Sequence, residues 1–245
     1  MTSTTLSASR SLGELAVEVP GAAGVFERVG LDFCCGGKQT LHAACANKGL
    51  DEQEVLAALE FGQTLPAPSD QHWQSQPLAE IIQHIIGSHH AYVRRELPNL
   101  ERWLDKVVAA HGERHAELLE IRHCFQAMAS ELAQHMAKEE LILFPAINRL
   151  AEPRADARPA AQCFTTIAQP VAMMVAEHEH SGRDLAEMRR ASADYTPPPD
   201  ACATFRALYR GLEAFERDLH QHVHLENNML FPRALELERN KNARG

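Results

Sequence analysis

Two segments of the chain repeat one pattern: His135-Met-Ala-Lys-Glu139-Glu-Leu-Ile-Leu-Phe144-Pro145 and His222-Val-His-Leu-Glu226-Asn-Asn-Met-Leu-Phe231-Pro232. Both read HxxxExxxLFP, and the copies begin 87 residues apart. A histidine and a glutamate four positions apart lie on one face of an α-helix, where they can share a metal ion. One HxxxE pattern arises easily by chance, whereas two copies inside a longer repeat indicate a common structural role.

A further histidine precedes each copy at nearly the same distance. His90 stands 45 positions before His135, and His178 stands 44 positions before His222. These histidines interrupt apolar positions that recur every three or four residues, so they are predicted to face a helical core. Because burying such groups without partners costs several kcal/mol, a metal ion would be an efficient compensation. The predicted metal ligands are His90, His135, Glu139, His178, His222 and Glu226.

Four long helical patterns carry these residues, near 78–110, 114–149, 164–191 and 200–239. The predicted core-facing positions include Ile86 in the first pattern and Ile142 in the second. If neighbouring helices alternate in direction, all the predicted ligands fall near one level of the bundle, at 1.5 Å of rise per residue. The sequence therefore predicts an all-α protein with an up-down-up-down four-helix bundle.

The chain divides by composition into a small module and the bundle. Residues 1–65 form a predicted helical N-terminal domain, 66–77 a proline-containing linker, and 78–245 the bundle. The short helices of the N-terminal domain are predicted at Leu12–Val19, Ala23–Val29, Gln39–Asn47 and Asp51–Glu60.

Charge and hydropathy exclude several classes of partner. The chain of 245 residues has a formal net charge of -9 and no basic cluster interleaved with aromatic residues, so nucleic acid and anionic membranes are not expected to bind it. No apolar run approaches the roughly 20 residues of a membrane span. Three of the six cysteines lie alone in helical sequence, unlike a secreted disulfide framework. We therefore expect a soluble cytoplasmic protein.

Four histidines and two glutamates suit a pair of first-row transition ions with both carboxylates bridging, and they leave coordination positions open to a small molecule. Ferritin-like sites use more carboxylates, in Glu-x-x-His spacing, so this site belongs to another class. Glu177, beside His178, is a candidate either for contacting a metal ligand from outside the centre or for lining a channel to it. His111 is a further candidate only if the first helix ends early, since a continuous helix places it about 30 Å from His90. Six other histidines are expected to face solvent: His84, His89, His123, His180, His220 and His224.

The chain resembles the repair of iron centres (RIC) family, hemerythrin-like di-iron proteins that restore damaged iron–sulfur clusters. The two HxxxExxxLFP segments, the Glu177-His178 pair, Leu225-Glu226-Asn227-Asn228 and Asp32-Phe33-Cys34-Cys35-Gly36-Gly37-Lys38 carry the resemblance. It implies that the six predicted ligands bind two non-haem iron ions with oxo and carboxylate bridges. It also implies thiol chemistry at Cys34 and Cys35, which could instead be small packing residues in a turn.

The sequence also departs from the oxygen-carrying hemerythrins. These place HxxxH on the third helix, whereas the residue four positions after His178 is Gly182. Their last ligand pair is HxxxxD, whereas here it is HxxxE. Both departures favour a labile iron site accessible to nitric oxide over an oxygen carrier.

The resemblance implies a stress-response protein that helps to rebuild iron–sulfur clusters damaged by nitric oxide or oxidants, by supplying iron or handling nitric oxide. Its partners would be proteins with damaged clusters, with nitric oxide or oxygen as a small ligand. One alternative is a di-iron nitric oxide reductase, which would make the protein an enzyme. Another is a hemerythrin-like binder or sensor of oxygen or nitric oxide. A homodimer formed through the N-terminal domain is left open by the sequence.

Overall fold

The computed structural model describes residues 6–63, 73–151 and 166–243 of the chain. Four short helices lie in the N-terminal part, close to their predicted positions. They are α1 (Leu12–Glu18), α2 (Ala22–Val29), α3 (Leu41–Lys48) and α4 (Glu52–Gln63). Residues 66–72 of the predicted linker lie outside the described residues.

Local side-chain chemistry explains where these short helices begin and end. The Ser11 hydroxyl accepts a hydrogen bond from the Glu14 backbone N–H at 3.2 Å, and the Glu14 carboxylate accepts one from the Ser11 N–H at 3.1 Å. This reciprocal pair satisfies two amide groups that would otherwise lack partners at the start of α1. Gly30 and Gly49, with φ of 66° and 67°, end α2 and α3 in the left-handed conformation that glycine adopts most easily.

The long helices follow, and three of them contain a π-helical segment. The first comprises α5 (Leu78–His84), a π-helix (Ile85–His90) and α6 (Ala91–His111). The second comprises α7 (Glu117–Lys138), a π-helix (Glu139–Leu143) and α8 (Phe144–Ala151). The third is α9 (Ala168–Ala191), and the fourth comprises α10 (Ala203–His224), a π-helix (Leu225–Leu230) and α11 (Phe231–Asn242).

Each π-helical segment contains one predicted ligand: His90, Glu139 and Glu226, respectively. Pro145 and Pro232 lack the N–H that would bond to the carbonyl four residues earlier. The turn before each proline therefore cannot close as a regular α-turn, and in the two repeat copies the π-helix lies just before it. The repeated Phe-Pro pair thus helps to explain two of the three segments.

The wider turns shift which residues face the core. Ile142 is 44% exposed, whereas its neighbour Leu143 is only 1% exposed. In the first helix Ile85 is fully buried and Ile86 only half-buried. The prediction that Ile142 faces the core was therefore wrong, because it assumed an unbroken α-helical period through a segment where each turn holds an additional residue, and Ile86 is only partly buried.

Residue contacts divide the chain into two compact units. One unit contains Met1–Ile82 and His220–Gly245, and the other contains Gln83–Leu219. The predicted linker at residues 66–77, which was placed from composition between the N-terminal domain and the bundle, stays a prediction. Among the described residues, no helix combines the length and the apolar character that crossing a bilayer would need.

The unit Gln83–Leu219 contains the bundle, and its side-chain pairs show the direction of each helix. His89 and Asp218 are hydrogen-bonded near one end, while the rings of His111 and Phe205 lie 5.4 Å apart near the other. The first and fourth helices are therefore antiparallel.

The second and third helices are also antiparallel, as the pairs His135–Glu177 and Glu120–Arg190 show. The third and fourth are likewise antiparallel, since Arg189 pairs with Glu216 and Tyr195 packs on Tyr209. The predicted all-α, up-down-up-down bundle is confirmed.

The other unit packs the N-terminal helices against the last part of the fourth long helix. Its apolar core includes Leu15, Phe26, Phe33, Leu41 and Leu59, all buried. α1 approaches the third π-helix so closely that a Cβ added to Gly13 would lie 2.7 Å from Asn228 Oδ1. Glycine at position 13 therefore permits this contact between backbone and side chain.

The π-helical register can be tested with two adjacent alanine substitutions in the metal-free protein. Leu143→Ala removes a buried side chain and should lower the free energy of unfolding by about 2–4 kcal/mol. Ile142→Ala, its matched control, should lower it by less than about 1 kcal/mol, because nearly half of Ile142 is exposed to solvent. Urea denaturation measures both values. A larger loss for Ile142→Ala would indicate an unbroken α-helix instead.

Candidate metal centre

Four of the predicted ligands lie together in the unit Gln83–Leu219, and all four are buried. They are His90, His135, Glu139 and His178. Glu139 holds the central position, because its two oxygens face different histidines. Its Oε2 lies 3.3 Å from His90 Nε2, and its Oε1 lies 3.4 Å from His135 Nε2. This is the arrangement expected of a carboxylate that lies between two metal-binding histidines.

The histidines of the second and third helices converge on a common point. The Nε2 atoms of His135 and His178 are 2.9 Å apart, and the ring centroids are 4.6 Å apart. Ligand atoms of these two histidines and of Glu139 all lie within 4.8 Å of one another. Two imidazole nitrogens and a carboxylate directed at one small volume are a donor set that first-row transition ions bind well.

Carboxylates outside the cluster hold two of these histidines in a defined tautomer. His135 Nδ1–H donates to Glu177 Oε2 at 2.8 Å, and His90 Nδ1–H donates to Glu140 Oε1 at 2.6 Å. Each Nε2 atom then faces Glu139, where it could bind a metal ion. Carboxylates hold metal-binding histidines in this way in many metalloproteins, and the arrangement increases the basicity of the ligand nitrogen. These residues fit a bound metal ion.

The outer carboxylates are themselves paired with cations. Arg94 donates to Glu140 at 2.6 Å, and Lys138 donates to Glu177. Burial alone would raise the pKa of both glutamates, but hydrogen bonds from the histidine and the cation outweigh it, and both pKa values are lowered. Both groups therefore stay ionised and continue to accept the imidazole protons.

Glu177 was predicted to contact a ligand, and the structure places it against His135. Glu140 was not predicted. With a regular α-helical period, a residue adjacent to Glu139 points about 100° away from it, which gave no reason to select Glu140. The feature near Glu140 that could have indicated its role is the π-helical turn that it shares with Glu139. That turn was not predicted from the sequence.

The remaining two predicted ligands lie in the other unit and form a pair. His222 Nε2 is 3.0 Å from Glu226 Oε1, and both residues are fully buried. The spacing of four residues thus brings the histidine and the glutamate together, as the sequence indicated. That this pair completes one centre with the other four residues stays a prediction.

The residues that follow Glu226 contact the N-terminal cysteine run in the same unit. Asn227 Nδ2 donates to the Cys34 carbonyl and Asn228 Nδ2 to the Phe33 carbonyl, each at 3.0 Å. Two motifs that are about 190 residues apart in sequence are therefore joined directly by hydrogen bonds.

Cys34 and Cys35 form a compact dithiol. Their Sγ atoms are 3.8 Å apart, and Asp32 Oδ1 accepts both backbone N–H groups, at 3.2 and 2.8 Å. The pKa of Cys34 is raised well above its usual value, first by its hydrogen bond with Cys35 and then by burial. A raised pKa keeps this thiol protonated and weakly nucleophilic at neutral pH. Thiol chemistry at this pair stays a prediction.

Of the histidines expected to face solvent, His224 and His89 are buried and His220 is half-buried. Asn228 Nδ2 donates to Nδ1 of buried His224 at 2.9 Å, and burial lowers the pKa of His224 to about 4. His220 pairs with Glu27 at 3.0 Å, and buried His89 pairs with Asp218 at 3.1 Å. The prediction failed because partners from distant parts of the chain cover these faces, which helical period alone does not reveal.

His111 lies apart from the four clustered residues. It is the last residue of α6, whose 21 residues separate it from His90 by about 30 Å. The structure brings it together with His115 and Asp200 instead.

Replacing Glu140 by glutamine tests its role in holding His90. We expect the affinity for Fe²⁺ to fall about 10–100-fold, because the imidazole loses its charged acceptor while the side-chain size is kept. Competition with a chromophoric chelator measures the affinity. Glu179→Gln, at an exposed position of α9, is the matched control. Equal affinities for Glu140→Gln and the parent would contradict the assignment.

Comparison with known proteins gives two family matches along the chain. Residues 8–62 match the ScdA_N model, described as a domain of unknown function (DUF542). Residues 81–234 match the hemerythrin HHE cation binding domain. This second match spans more than half of the chain and contains all six predicted ligands.

Curated relatives extend over nearly the whole chain. The iron–sulfur cluster repair protein YtfE of Yersinia pseudotuberculosis serotype IB is 42% identical over 227 residues, which cover 93% of this chain and 97% of the relative. The protein of the same name from Pectobacterium carotovorum is 41% identical over 227 residues, covering 92% and 96%. The chain therefore belongs to the hemerythrin HHE cation-binding family and, within it, to the iron–sulfur cluster repair proteins of the YtfE type.

Proposed function

We propose that the protein repairs iron–sulfur clusters damaged by nitrosative or oxidative stress, using a di-iron centre that supplies iron, handles nitric oxide, or does both. The centre would be held by His90, His135, Glu139, His178, His222 and Glu226, with the two glutamates bridging two non-haem iron ions. Its clients would be cytoplasmic proteins with damaged clusters. The observation that carries the proposal is the buried cluster around Glu139, in a chain whose relatives are named as repair proteins.

The donor set supports a first-row transition ion such as iron over calcium or magnesium. Imidazole nitrogen and carboxylate oxygen together suit divalent and trivalent iron, whereas calcium and magnesium prefer oxygen alone. Buried Glu139 supplies negative charge that offsets the charge of the metal. When bound, the iron pair supplies redox chemistry and open coordination positions for a small ligand.

The side chains around the cluster are suited to hold iron without enclosing it completely. Glu140 and Glu177 orient His90 and His135, and both outer carboxylates are partly exposed and paired with a surface cation. Protonation or displacement of an outer carboxylate would loosen the histidine that it holds. Solvent can therefore affect the metal-binding histidines through Glu140 and Glu177, which is consistent with a protein that releases its iron to a client.

An apolar cavity of about 250 Å³ lies close to the cluster in the same unit. Leu143 and Met174 line it, and each lies four residues from a predicted ligand, Glu139 and His178 respectively. Lys138 also lines it and is bonded to Glu177. An apolar lining suits an uncharged ligand better than a charged substrate, which is consistent with nitric oxide as the small molecule handled.

The di-iron centre predicts a defined metal content. Protein purified without oxygen should contain about two iron ions per chain and give a coupled Mössbauer signal, with Glu139 and Glu226 as the bridges. In the double variant Glu139→Ala/Glu226→Ala the coupled signal should disappear. Glu131→Ala/Glu179→Ala, at two exposed positions, is the control with the same loss of charge. Unchanged iron in the first double variant would mean that these carboxylates do not bind it.

The repair role predicts recovery of a damaged client. Iron-loaded protein should reactivate an enzyme whose iron–sulfur cluster has been nitrosylated, and His135→Ala and His222→Ala should not, because each removes a predicted iron ligand. Client activity after incubation is the readout, and His123→Ala, at an exposed position, is the control. Repair by both ligand variants at the parent level would sink the proposal. Nitrous oxide production over many turnovers with an electron donor would identify a nitric oxide reductase instead.

A further inference from the structure

A second group of metal-binding side chains lies in the unit Gln83–Leu219, at the end of the bundle away from the cluster around Glu139. His111 ends α6, His115 lies in the turn that follows, and Asp200 lies in the segment before α10. One ligand atom of each lies within 4.8 Å of the other two. The proposed repair function uses none of these residues, and His111 is about 30 Å from His90 along the first helix.

His115 and Asp200 already have the separation of two ligands on one ion. His115 Nε2 lies 3.1 Å from Asp200 Oδ1 and 3.3 Å from Oδ2. In a tetrahedral zinc site, bonds of about 2.0–2.1 Å place a nitrogen and an oxygen ligand about 3.3 Å apart. The other ring nitrogen, Nδ1, is 3.0 Å from Glu117 Oε1. A carboxylate thus orients this imidazole and directs Nε2 toward Asp200, as in the cluster around Glu139.

His111 supplies a second, independent observation. Its side chain is only 8% exposed, and among the described residues no donor or acceptor lies within hydrogen-bond distance of its buried Nδ1. Its ring lies 6.1 Å from that of His115 and packs on Phe205 at 5.4 Å. A buried polar nitrogen without a partner costs free energy, and coordination to a metal ion would remove that cost.

We propose that His111, His115 and Asp200 form a mononuclear site for Zn²⁺. Two imidazoles and one carboxylate are a donor set that zinc accepts, and three protein ligands leave the fourth tetrahedral position for water. Two negative groups, Asp200 and Glu117, offset the charge of the ion. Arg114 Nη1 lies 3.4 Å from Asp200 Oδ2, but its side chain is 65% exposed and can turn to solvent.

Zinc at this site would tie three parts of the unit together. His111 belongs to the first long helix, His115 to the turn before the second, and Asp200 to the segment that joins the third to the fourth. A bound ion should therefore stabilise this end of the bundle, since a ligand that binds only the folded state raises the unfolding temperature. The role is structural and does not depend on iron in the other cluster.

The test uses the full-length, iron-loaded protein titrated with Zn²⁺ against a chromophoric zinc chelator. We expect about one zinc ion per chain to bind without release of iron, and the unfolding temperature to rise. Asp200→Asn and His115→Asn should each weaken zinc binding tenfold or more, since even outer partners of a ligand contribute 10–100-fold. His123→Asn, at an exposed position of the second helix, should match the parent.

A second arm separates this site from the proposed iron centre. The variant His135→Ala/His222→Ala should keep its zinc affinity at this site even if it loses iron and repair activity. Co²⁺ substitution should give tetrahedral d–d absorption bands that disappear in Asp200→Asn. Absence of zinc binding beyond the iron centre, or affinity unaffected by Asp200→Asn, would reduce the group to an ordinary ion pair. Asp200 is exposed, so its substitution tests the site without disturbing the core.

Discussion

The architecture depends on the burial of one carboxylate among imidazoles. Glu139 has no exposed surface, and its two oxygens face His90 and His135 from different long helices. An ionised carboxylate in an apolar helical core is strongly destabilising unless charge and hydrogen bonds surround it. His90 and His135, oriented by Glu140 and Glu177, place ring nitrogens beside both of its oxygens, and a metal ion bound among them would supply the positive charge. The helices are therefore held in register by polar contacts as well as by apolar packing.

Charge alternates from the core of the bundle to its surface. From Glu139 outward, an imidazole is followed by a partly exposed carboxylate and then by a cation, Arg94 on one side and Lys138 on the other. Hydrogen bonds from the histidine and the cation lower the pKa of each outer glutamate, so both stay ionised and accept the Nδ1–H of the histidine in front of them. A centre built in this way can be rigid when loaded with metal and still respond to solvent at its outer layer.

The two repeat copies have diverged at the position after the shared glutamate. In the first copy this is Glu140, which accepts the Nδ1 proton of His90, whereas in the second it is Asn227, which donates to the carbonyl of Cys34. The same place in the π-helical turn thus orients a histidine in one copy and attaches the cysteine run in the other. Both residues lie in the wider turn that the following Phe-Pro pair favours.

The sequence by itself determined the features that depend on the local spacing of residues. Apolar residues every three or four positions, with a histidine and a glutamate four apart, were enough to predict the four long helices, their alternating directions and the pairs His135–Glu139 and His222–Glu226. Only the tertiary structure decided the features that depend on widened turns and on contacts between distant residues. In the folded protein Leu143 rather than Ile142 is buried in the core, Glu140 is the partner of His90, and Asn228 is the partner of buried His224. Helical period cannot anticipate these choices, because one additional residue in a turn rotates every following side chain, and because contacts between remote residues form only when the chain folds.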